Sequence, residues 1–459
     1  MAGRVFLALW VFVLIVASAF QLVVIPELLP HLHAGHGLLA GFDSLGFHEL
    51  AVAQVESVRQ YGWGQWSLRP GGQGPAGIAS LVYWATGIER PFVLIPIHAA
   101  LFALAGLFCF KTVVMLFGHR VAWVGMIPFF VFPSALEIYG QIHKDIWVMA
   151  GVSILVFLVT SVFLGRVRGW KSLIGLLGLA SIGASFIWLM KPYVGLIMVP
   201  GLLGVIVLYL LTLHLQAKRS LVFGLSGLVF ITAILIIVGI GHLDGLREPS
   251  IEPAPQVATQ REPSIEPAPE VSTEDDGLTW QPSTYLPARL DSILFRIASN
   301  REYWREAHPV AGSAVDEDVS FESASDIFWY LPRGLQIATL APFPDMWFGE
   351  AVSPGGQIKR WVSAYEMSIA YVALIALVIY LIKARSLPIM ALLIMTMAPA
   401  TILTLVQFFV GGLYRYRYPF WILWVSLGLV ALAALRVSYR ESKMRHKARD
   451  MTLAETNQG

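Results

Sequence analysis

Long apolar runs separated by short polar loops extend along this sequence to about residue 437. A helical run of about 18 residues or more can cross a hydrocarbon core of about 30 Å. Because backbone polar groups in lipid must be paired within their own segment, the pattern predicts an all-α polytopic membrane protein with about ten transmembrane helices. They are predicted at residues 4–25, 91–117, 121–137, 145–165, 172–190, 195–214, 221–241, 361–382, 387–410 and 419–437.

Two of these runs need separate interpretation. The run from Val5 to Ile25 could be mistaken for a signal peptide, but further spans follow it and it is interpreted as an uncleaved first helix. The third run is short and contains Pro128 and Pro133, which favour a kink because proline cannot donate to the helical ladder.

Basic residues lie in alternate loops, and this predicts the orientation. They occur at Arg4, in loops 118–120, 166–171, 217–219 and 383–385, and in the tail that carries Arg436, Arg440, Lys443, Arg445, Lys447 and Arg449. Short loops rich in Lys and Arg mark the cytoplasmic side. With both termini cytoplasmic, all of these segments fall on that side. The outer face is then formed by residues 26–90, 138–144, 191–194, 242–360 and 411–418.

The composition supports this class and excludes others. Hydrophobic residues make up 56% of the chain and the mean hydropathy is +0.67, well above a soluble domain. The net charge of +2 is too small to suggest nucleic acid as a partner. The single cysteine, Cys109, lies in an apolar run, which excludes a disulfide framework and a cysteine-based metal site.

The segment Gly41–Ala51 concentrates polar chemistry at the start of the first outer loop. Asp43, His48 and Glu49 lie within seven positions in a chain of which 14% is charged. Apolar residues recur at helical spacing after Asp43 and predict an interfacial amphipathic helix, and a weaker one is predicted at 76–88. Asp43 is interpreted either as a catalytic carboxylate or as a simple helix cap.

Other residues of this loop have two interpretations each. His31, His33 and His36 have the spacing of metal ligands, although a solvated loop is favoured because no acidic ligand lies near them. Aromatic residues later in the loop suit a headgroup belt better than sugar stacking. These are Trp63, Trp66, Tyr83 and Trp84.

The remaining outer turns repeat a pattern of isolated charges near span ends. Cations there suggest anion binding, and arginine binds phosphate with two parallel hydrogen bonds. The alternatives are that Lys144 and Asp145 only mark helix ends and that the Tyr and Arg residues only anchor the interface. The charged or aromatic residues concerned are Glu137, Lys144, Asp145, Lys191, Tyr193, Arg415 and Arg417.

The long outer segment divides the chain into modules. A period-14 repeat begins at Arg247 and again at Arg261, and its Pro- and Glu-rich composition predicts a disordered linker over 242–277. Residues 278–360 contain amphipathic stretches near 290–297 and 324–340 and predict a small outer-face helical segment. The other modules are an N-terminal transmembrane module (1–241), C-terminal transmembrane helices (361–438) and a cytoplasmic tail (439–459).

The outer acids and cations together suit a lipid phosphate or pyrophosphate that carries a sugar. Its tail would lie between helices, its phosphate would meet Lys or Arg, and its sugar would project outward. Glycosyl transfer needs a base for the acceptor hydroxyl and positive charge for the departing phosphate. The acids are Asp43, Glu49, Glu137 and Asp145, and the cations are Lys144, Lys191, Arg415 and Arg417.

At these residues the sequence resembles bacterial GT-C-fold membrane glycosyltransferases, the group of protein O-mannosyltransferases and lipid A aminoarabinose transferases. Asp43 to His48, followed by Ala51, resembles their Asp-x-x-x-Tyr/Phe-His element, although many relatives carry paired acids where this chain has Asp43-Ser44. Residues 133–145 resemble their second outer loop. Three further segments resemble membrane proteins of bacterial surface-polysaccharide pathways: Lys191-Pro192-Tyr193, Arg415 to Pro419 and Ala341 to Pro344.

The resemblance implies a GT-C-like fold and a polyprenyl-phosphate sugar donor. It implies that Asp43 is the base or a metal-linked acid and that Asp145 is the second-loop acid. If a divalent metal such as Mg or Mn takes part, these two carboxylates would hold it. The predicted substrate-binding residues are Glu49, Glu137, Lys144, Lys191, Tyr193, Arg415 and Arg417, and His48 would support Asp43.

The predicted function is therefore transfer of a sugar to a glycan, lipid or protein acceptor on the outer face of a bacterial inner membrane. A polysaccharide polymerase or ligase that uses undecaprenyl-pyrophosphate glycans is the nearest alternative and would depend on Arg415 and Arg417 more than on Asp43. A flippase for the same lipids is a third. It would be expected to place charges midway along spans, where few occur.

Overall fold

The computed structural model describes residues 1–216, 222–244, 279–307, 312–351 and 354–456, and within these ranges it is almost entirely helical. The described residues form no β-strand beyond three isolated bridges. Eight helices in them are long and apolar enough to cross a membrane. The prediction of an all-α polytopic membrane protein is confirmed.

The N-terminal half contains α1 (Ala2–Ala19), which continues as a π-helix over Phe20–Leu28, and then ten further helices. These are α2 (Asp43–Tyr61), α3 (Gly74–Thr86), α4 (Ile95–Phe117), α5 (His119–Ala122), α6 (Ile127–Val131), α7 (Ala135–Tyr139), α8 (Asp145–Phe163), α9 (Trp170–Met190), α10 (Pro192–Gln216) and α11 (Val222–Asp244). The C-terminal part contains α12 (Ala288–Ala307), α13 (Ala324–Leu340), α14 (Pro354–Ala384), α15 (Leu387–Val406) and α16 (Val410–Thr456).

The third predicted span is broken into α5, a 3-10 turn, α6 and α7, because Pro128 and Pro133 interrupt the backbone ladder. The seventh corresponds to α11, which includes the apolar stretch Leu225–Ile237. The other eight predicted spans correspond to the eight long apolar helices found among the described residues.

Helix α8 lies at the centre of the bundle, and 83% of the residues in its apolar stretch are buried. It packs against α4, α9, α15 and α16. Gly151 of α8 and Gly183 of α9 face one another, and a side chain on Gly151 would meet the carbonyl oxygen of Gly183. Small residues at such a crossing allow close backbone approach, which stabilises helix pairs in lipid. Groups at either end of α8 are therefore held by a rigid element.

The two helices predicted in the first outer loop are both present and pack on one another. Helix α2 turns Phe47, Ala51 and Val55 inward, where they form a small core with Ala76 and Ala79 of α3. Its exposed residues include Glu49, Glu56, Arg59 and Gln60. The apolar face of α2 thus covers α3, and its polar face points away from the protein.

The described part of 279–351 forms α12 and α13, so both amphipathic stretches predicted there are confirmed. The two helices pack against α15. Arg301 of α12 is buried and donates to the carbonyl oxygens of Thr404 and Leu405, near the C-terminus of α15. The period-14 repeat and most of the predicted linker lie outside the described residues, which resume at residue 279.

Candidate functional site

Four segments that are distant in the sequence meet at one end of the bundle, here called the site face. They are the start of α2, the start of α8, the link between α9 and α10, and the second turn of α16. Helices α8, α14 and α16 run from this face to the opposite end, where Arg166, Lys383 and Arg436 lie. These three basic residues of predicted cytoplasmic segments and the site therefore lie at opposite ends of the same helices, and the site face corresponds to the predicted outer face.

A chain of charged groups crosses the site face. The Asp43 Oδ2 atom lies 2.8 Å from Arg415 Nη2, and Arg415 Nε lies 3.5 Å from Asp145 Oδ2. Asp145 Oδ1 lies 2.7 Å from Lys191 Nζ, and Asp145 Oδ2 lies 3.0 Å from His143 Nδ1. Arg415 thus bridges two carboxylates, and Lys191 offsets the charge of the second.

Burial distinguishes the two carboxylates. Asp145 is 0% exposed and Lys191 is 2% exposed, so this pair is shielded from solvent. The side chains of Asp43 and Arg415 are 19% and 20% exposed. Asp43 and Arg415 are therefore the accessible members of the charge chain, while Asp145 contacts Arg415 from the buried side and Lys191 contacts Asp145.

The helix-cap interpretation of the acids is wrong. The N-cap of α2 is Phe42 and that of α8 is Lys144, and neither end has a side-chain cap hydrogen bond. Asp43 and Asp145 are the first helical residues, where the positive end of the helix dipole favours a carboxylate. Their oxygens instead contact the cations of the site.

Gln141 connects the start of α2 to the turn before α8. Its Oε1 accepts from the backbone N–H of Leu39 at 3.0 Å and from the hydroxyl of Ser44 at 3.3 Å. Its Nε2 donates to the carbonyl oxygen of Gly37 at 3.1 Å. Gly37 has a φ of 76°, in the region that favours glycine. This buried amide explains how the loops that carry Asp43 and Asp145 are held in register.

Three cations lie against aromatic rings beside the charge chain. Lys359 Nζ is 4.1 Å from the ring centroid of Phe42, and Lys144 Nζ is 5.2 Å from that of Phe47. Lys191 Nζ is 4.3 Å from the ring centroid of Tyr416. Such contacts orient a lysine without neutralising it. The first turn of α2 is consequently surrounded by positive charge from α8, α14 and α16.

Lys359 is a site residue that the sequence analysis did not identify. It lies in the second turn of α14, and its Nζ is 3.6 Å from Glu137 Oε2. Its side chain is 56% exposed, more than that of Arg415. The sequence feature that could have identified Lys359 is its position two residues before a predicted span, on the predicted outer side.

Three other predicted substrate-binding residues lie at different places relative to the charge chain. Tyr193 is near the cluster, with its ring centroid 6.5 Å from that of Tyr416 and 6.0 Å from Lys191 Nζ. Glu137 lies at the edge through its contact with Lys359. Glu49 is exposed on the opposite side of α2 from the buried face and is not brought to the cluster.

Arg417 lies apart from Arg415, although the two are only two positions apart. It is 0% exposed and donates to the carbonyl oxygens of Ile337, Ala338 and Ala341, at the C-terminus of α13. Residues two apart on a helix point to different sides, and a cation at a helix C-terminus offsets its dipole. The phosphate-binding role predicted for Arg417 does not fit this position, which is that of a helix cap.

His48 also turns away from Asp43. It is 5% exposed, and its Nδ1 lies 2.9 Å from the hydroxyl of Tyr83, while its ring packs 5.1 Å from that of His36. Burial, with a smaller contribution from the nearby charge of His36, lowers the pKa of His48 to about 4, against an opposing effect of Glu89. His48 is therefore neutral at pH 7 and joins α2 to α3.

The lowered pKa of His48 predicts how stability depends on pH. Because the folded protein binds the proton less tightly than the unfolded chain, stability is complete above about pH 6.5 and falls as the pH drops towards 4, by up to about 3 kcal/mol. Thermal unfolding of the wild type should therefore lose several degrees over this interval. His48→Gln should show a flatter profile in the same buffers, and equal slopes for the two proteins would contradict this assignment.

The predicted metal site would use the carboxylates of Asp43 and Asp145. Arg415 contacts both Asp43 and Asp145, and Lys191 contacts the remaining oxygen of Asp145. Among the residues that the structure describes, no group of three or more His, Cys, Asp or Glu side chains is arranged to hold a metal ion, and this includes the three histidines near residue 33. The carboxylate pair, with a guanidinium between its members, does not fit a divalent cation in this arrangement.

Comparisons with known proteins add one structural neighbour. No family model matches the sequence, and no curated protein matches it. Among solved structures, the chain is similar to the archaeal oligosaccharyltransferase AglB from Archaeoglobus fulgidus, solved in complex with an inhibitory peptide and a dolichol-phosphate. The identity is 14% and the TM-score 0.49, over 96% of this chain and 52% of that chain. The chain thus spans about half the length of that protein.

Proposed function

We propose that this protein is a GT-C-type membrane glycosyltransferase that moves a sugar from a polyprenyl-phosphate donor to an acceptor on the outer face of a bacterial inner membrane. The observation that carries the proposal is the partly exposed Asp43–Arg415 pair, backed by the buried Asp145–Lys191 pair. It combines an accessible base with fixed positive charge at the end of a membrane bundle. Glycosyl transfer from a lipid phosphate requires both.

In the proposed reaction, Asp43 takes the proton of the acceptor hydroxyl. The acceptor oxygen forms a bond to the anomeric carbon of the sugar, and the bond between that carbon and the phosphate oxygen breaks. The electron pair of the broken bond remains on the phosphate, where Arg415 and the nearby Lys144 and Lys359 stabilise the charge. The products are the glycosylated acceptor and a polyprenyl phosphate.

Asp145 supports this reaction indirectly. It contacts Arg415 through Nε, while Nη2 of the same guanidinium contacts Asp43. Lys191 offsets the negative charge of Asp145, so the buried pair is close to neutral and can be retained away from water. We propose that Asp145 and Lys191 fix the orientation of Arg415, while Asp43 and Arg415 contact the substrate.

The donor assay tests the proposal directly. Purified protein in lipid nanodiscs is incubated with labelled polyprenyl-phosphate hexoses and pentoses, or with undecaprenyl-pyrophosphate glycans, together with short-chain glycan, lipid and peptide acceptors. Sugar release from at least one donor, dependent on acceptor and accompanied by free polyprenyl phosphate, is expected. Activity restricted to undecaprenyl-pyrophosphate glycans would instead favour a polymerase or ligase. Movement of intact donor between leaflets without sugar release would indicate a flippase.

The same assay also tests whether turnover depends on a divalent metal. Because Arg415 and Lys191 already contact both carboxylates, turnover is expected to change less than about twofold after chelation and after addition of Mg²⁺ or Mn²⁺. Loss of all activity with a chelator, restored by either cation, would show that the carboxylates separate from Arg415 to bind metal. The measurement is initial rate against free metal concentration.

A further inference from the structure

A second buried carboxylate lies behind the site, in helix α14. Glu366 is 0% exposed. Its Oε1 accepts from the backbone N–H of Ser134 at 2.8 Å, and its Oε2 accepts from the hydroxyl of Ser134 at 2.8 Å and from the hydroxyl of Tyr414. The donors that reach it are thus one backbone amide and two hydroxyls.

Both partners of Glu366 lead directly into the site. Ser134 precedes α7, and the same segment continues through Gln141 to His143 and Asp145. Tyr414 is adjacent to Arg415, whose guanidinium bridges Asp43 and Asp145. Glu366 therefore connects, through one carboxylate, the two segments that supply the acid and the cation on the buried side of the site.

The cost of burying this carboxylate indicates a role beyond packing. Taking a carboxylate out of water is expensive, so its place in the buried interior is offset only by well-placed donors. A group that only filled space between α14 and α16 would not need two acceptor oxygens. The contacts with Ser134 and Tyr414 use both oxygens and set the separation of the two segments.

We propose that Glu366 is a positioning residue for Arg415. This inference rests on the proposed function. In it, Glu366 does not contact the substrate. It acts through Tyr414, which fixes the rotation of the first turns of α16 and so the reach of Arg415 towards Asp43 and the donor phosphate. A small misplacement of a substrate-binding cation is enough to slow turnover strongly.

Three variants test the inference by steady-state kinetics. Glu366→Leu is expected to lower kcat per folded molecule on the order of tenfold, and also to lower the unfolding temperature because three buried donors lose their acceptor. Glu366→Gln keeps an acceptor for the Ser134 amide and can donate to both hydroxyls, so it should restore most of the activity. In an Arg415→Met background, Glu366→Leu should cause little further loss, because the residue that it positions is gone.

A second readout does not depend on catalysis. In a Cys109→Ala background, Arg415→Cys gives a single thiol whose maleimide labelling rate reports the exposure of this position. Glu366→Leu should raise that rate several-fold, and Glu366→Gln should leave it close to the parent. An unchanged rate with Glu366→Leu overturns the inference, as does wild-type kcat or an equal loss in both Arg415 backgrounds. A wild type inactive on every donor would overturn the proposed function alone.

Discussion

Replacing Asp43 by Asn is expected to lower the rate of sugar transfer by roughly 10²- to 10⁴-fold, the usual contribution of a general base. The amide has nearly the same shape but cannot take the acceptor proton. Since Asp43 is partly exposed, its exchange should move the unfolding temperature by only a few degrees. The measurement is kcat with the donor identified in the nanodisc assay, together with thermal unfolding.

Glu49→Gln is the matched control for this variant. Glu49 lies on the same helix as Asp43, six residues later, and is exposed away from the charge cluster. Glu49→Gln loses the same charge on the same helix and should retain wild-type activity. Full activity of Asp43→Asn would rule out Asp43 as the base. Equal losses in the two variants would point to a general effect of charge on donor binding.

Arg415→Met and Arg417→Met are expected to fail in different ways. Arg415→Met removes the cation between Asp43 and Asp145 and should lower kcat by roughly 10²- to 10³-fold, to a rate that is still measurable, in a protein that still folds. Arg417→Met leaves the carbonyl oxygens of Ile337, Ala338 and Ala341 without their donor in a buried place. That loss should lower the free energy of unfolding by about 3 kcal/mol, while molecules that remain folded keep much of the wild-type activity.

Protease resistance and unfolding temperature, measured beside kcat, separate these outcomes. Loss of activity without loss of stability in Arg417→Met would place this residue in the substrate path and restore its sequence-based interpretation. The distinction also changes how a polymerase or ligase should be tested. Arg417 no longer serves as its diagnostic residue, and the comparison of Arg415→Met with Asp43→Asn on monophosphate and pyrophosphate donors takes its place.

The sequence predicted the membrane architecture well because each span is a local property. Eight predicted spans correspond to long apolar helices, and the two interfacial helices begin within about two residues of their predicted starts. Orientation rests only on the distribution of Lys and Arg along the chain and stays a prediction. These features depend on neighbours in sequence, which a single sequence shows.

The site was predicted in part, because its members come from segments that composition cannot bring together. The sequence identified four charges on the predicted outer side that the structure joins in one series of charge contacts: Asp43, Asp145, Lys191 and Arg415. Arg415 and Arg417 could not be told apart by sequence, since their different environments arise from the rotation of α16. Gln141 was not identified because a buried amide has no distinguishing sequence pattern.

The contact between Asp43 and Arg415 joins positions 372 residues apart. Asp43, in the first outer loop, therefore cannot meet Arg415 until the last helix has been synthesised. A ribosome must release nearly the whole chain, and α16 must insert, before the proposed catalytic pair can form. Truncated chains that lack α16 also lack Arg415, and with it the proposed contact to the donor phosphate. Under the proposed function, activity is a direct reporter of completed membrane insertion, and a defect in the final helix would resemble a mutation in the first loop.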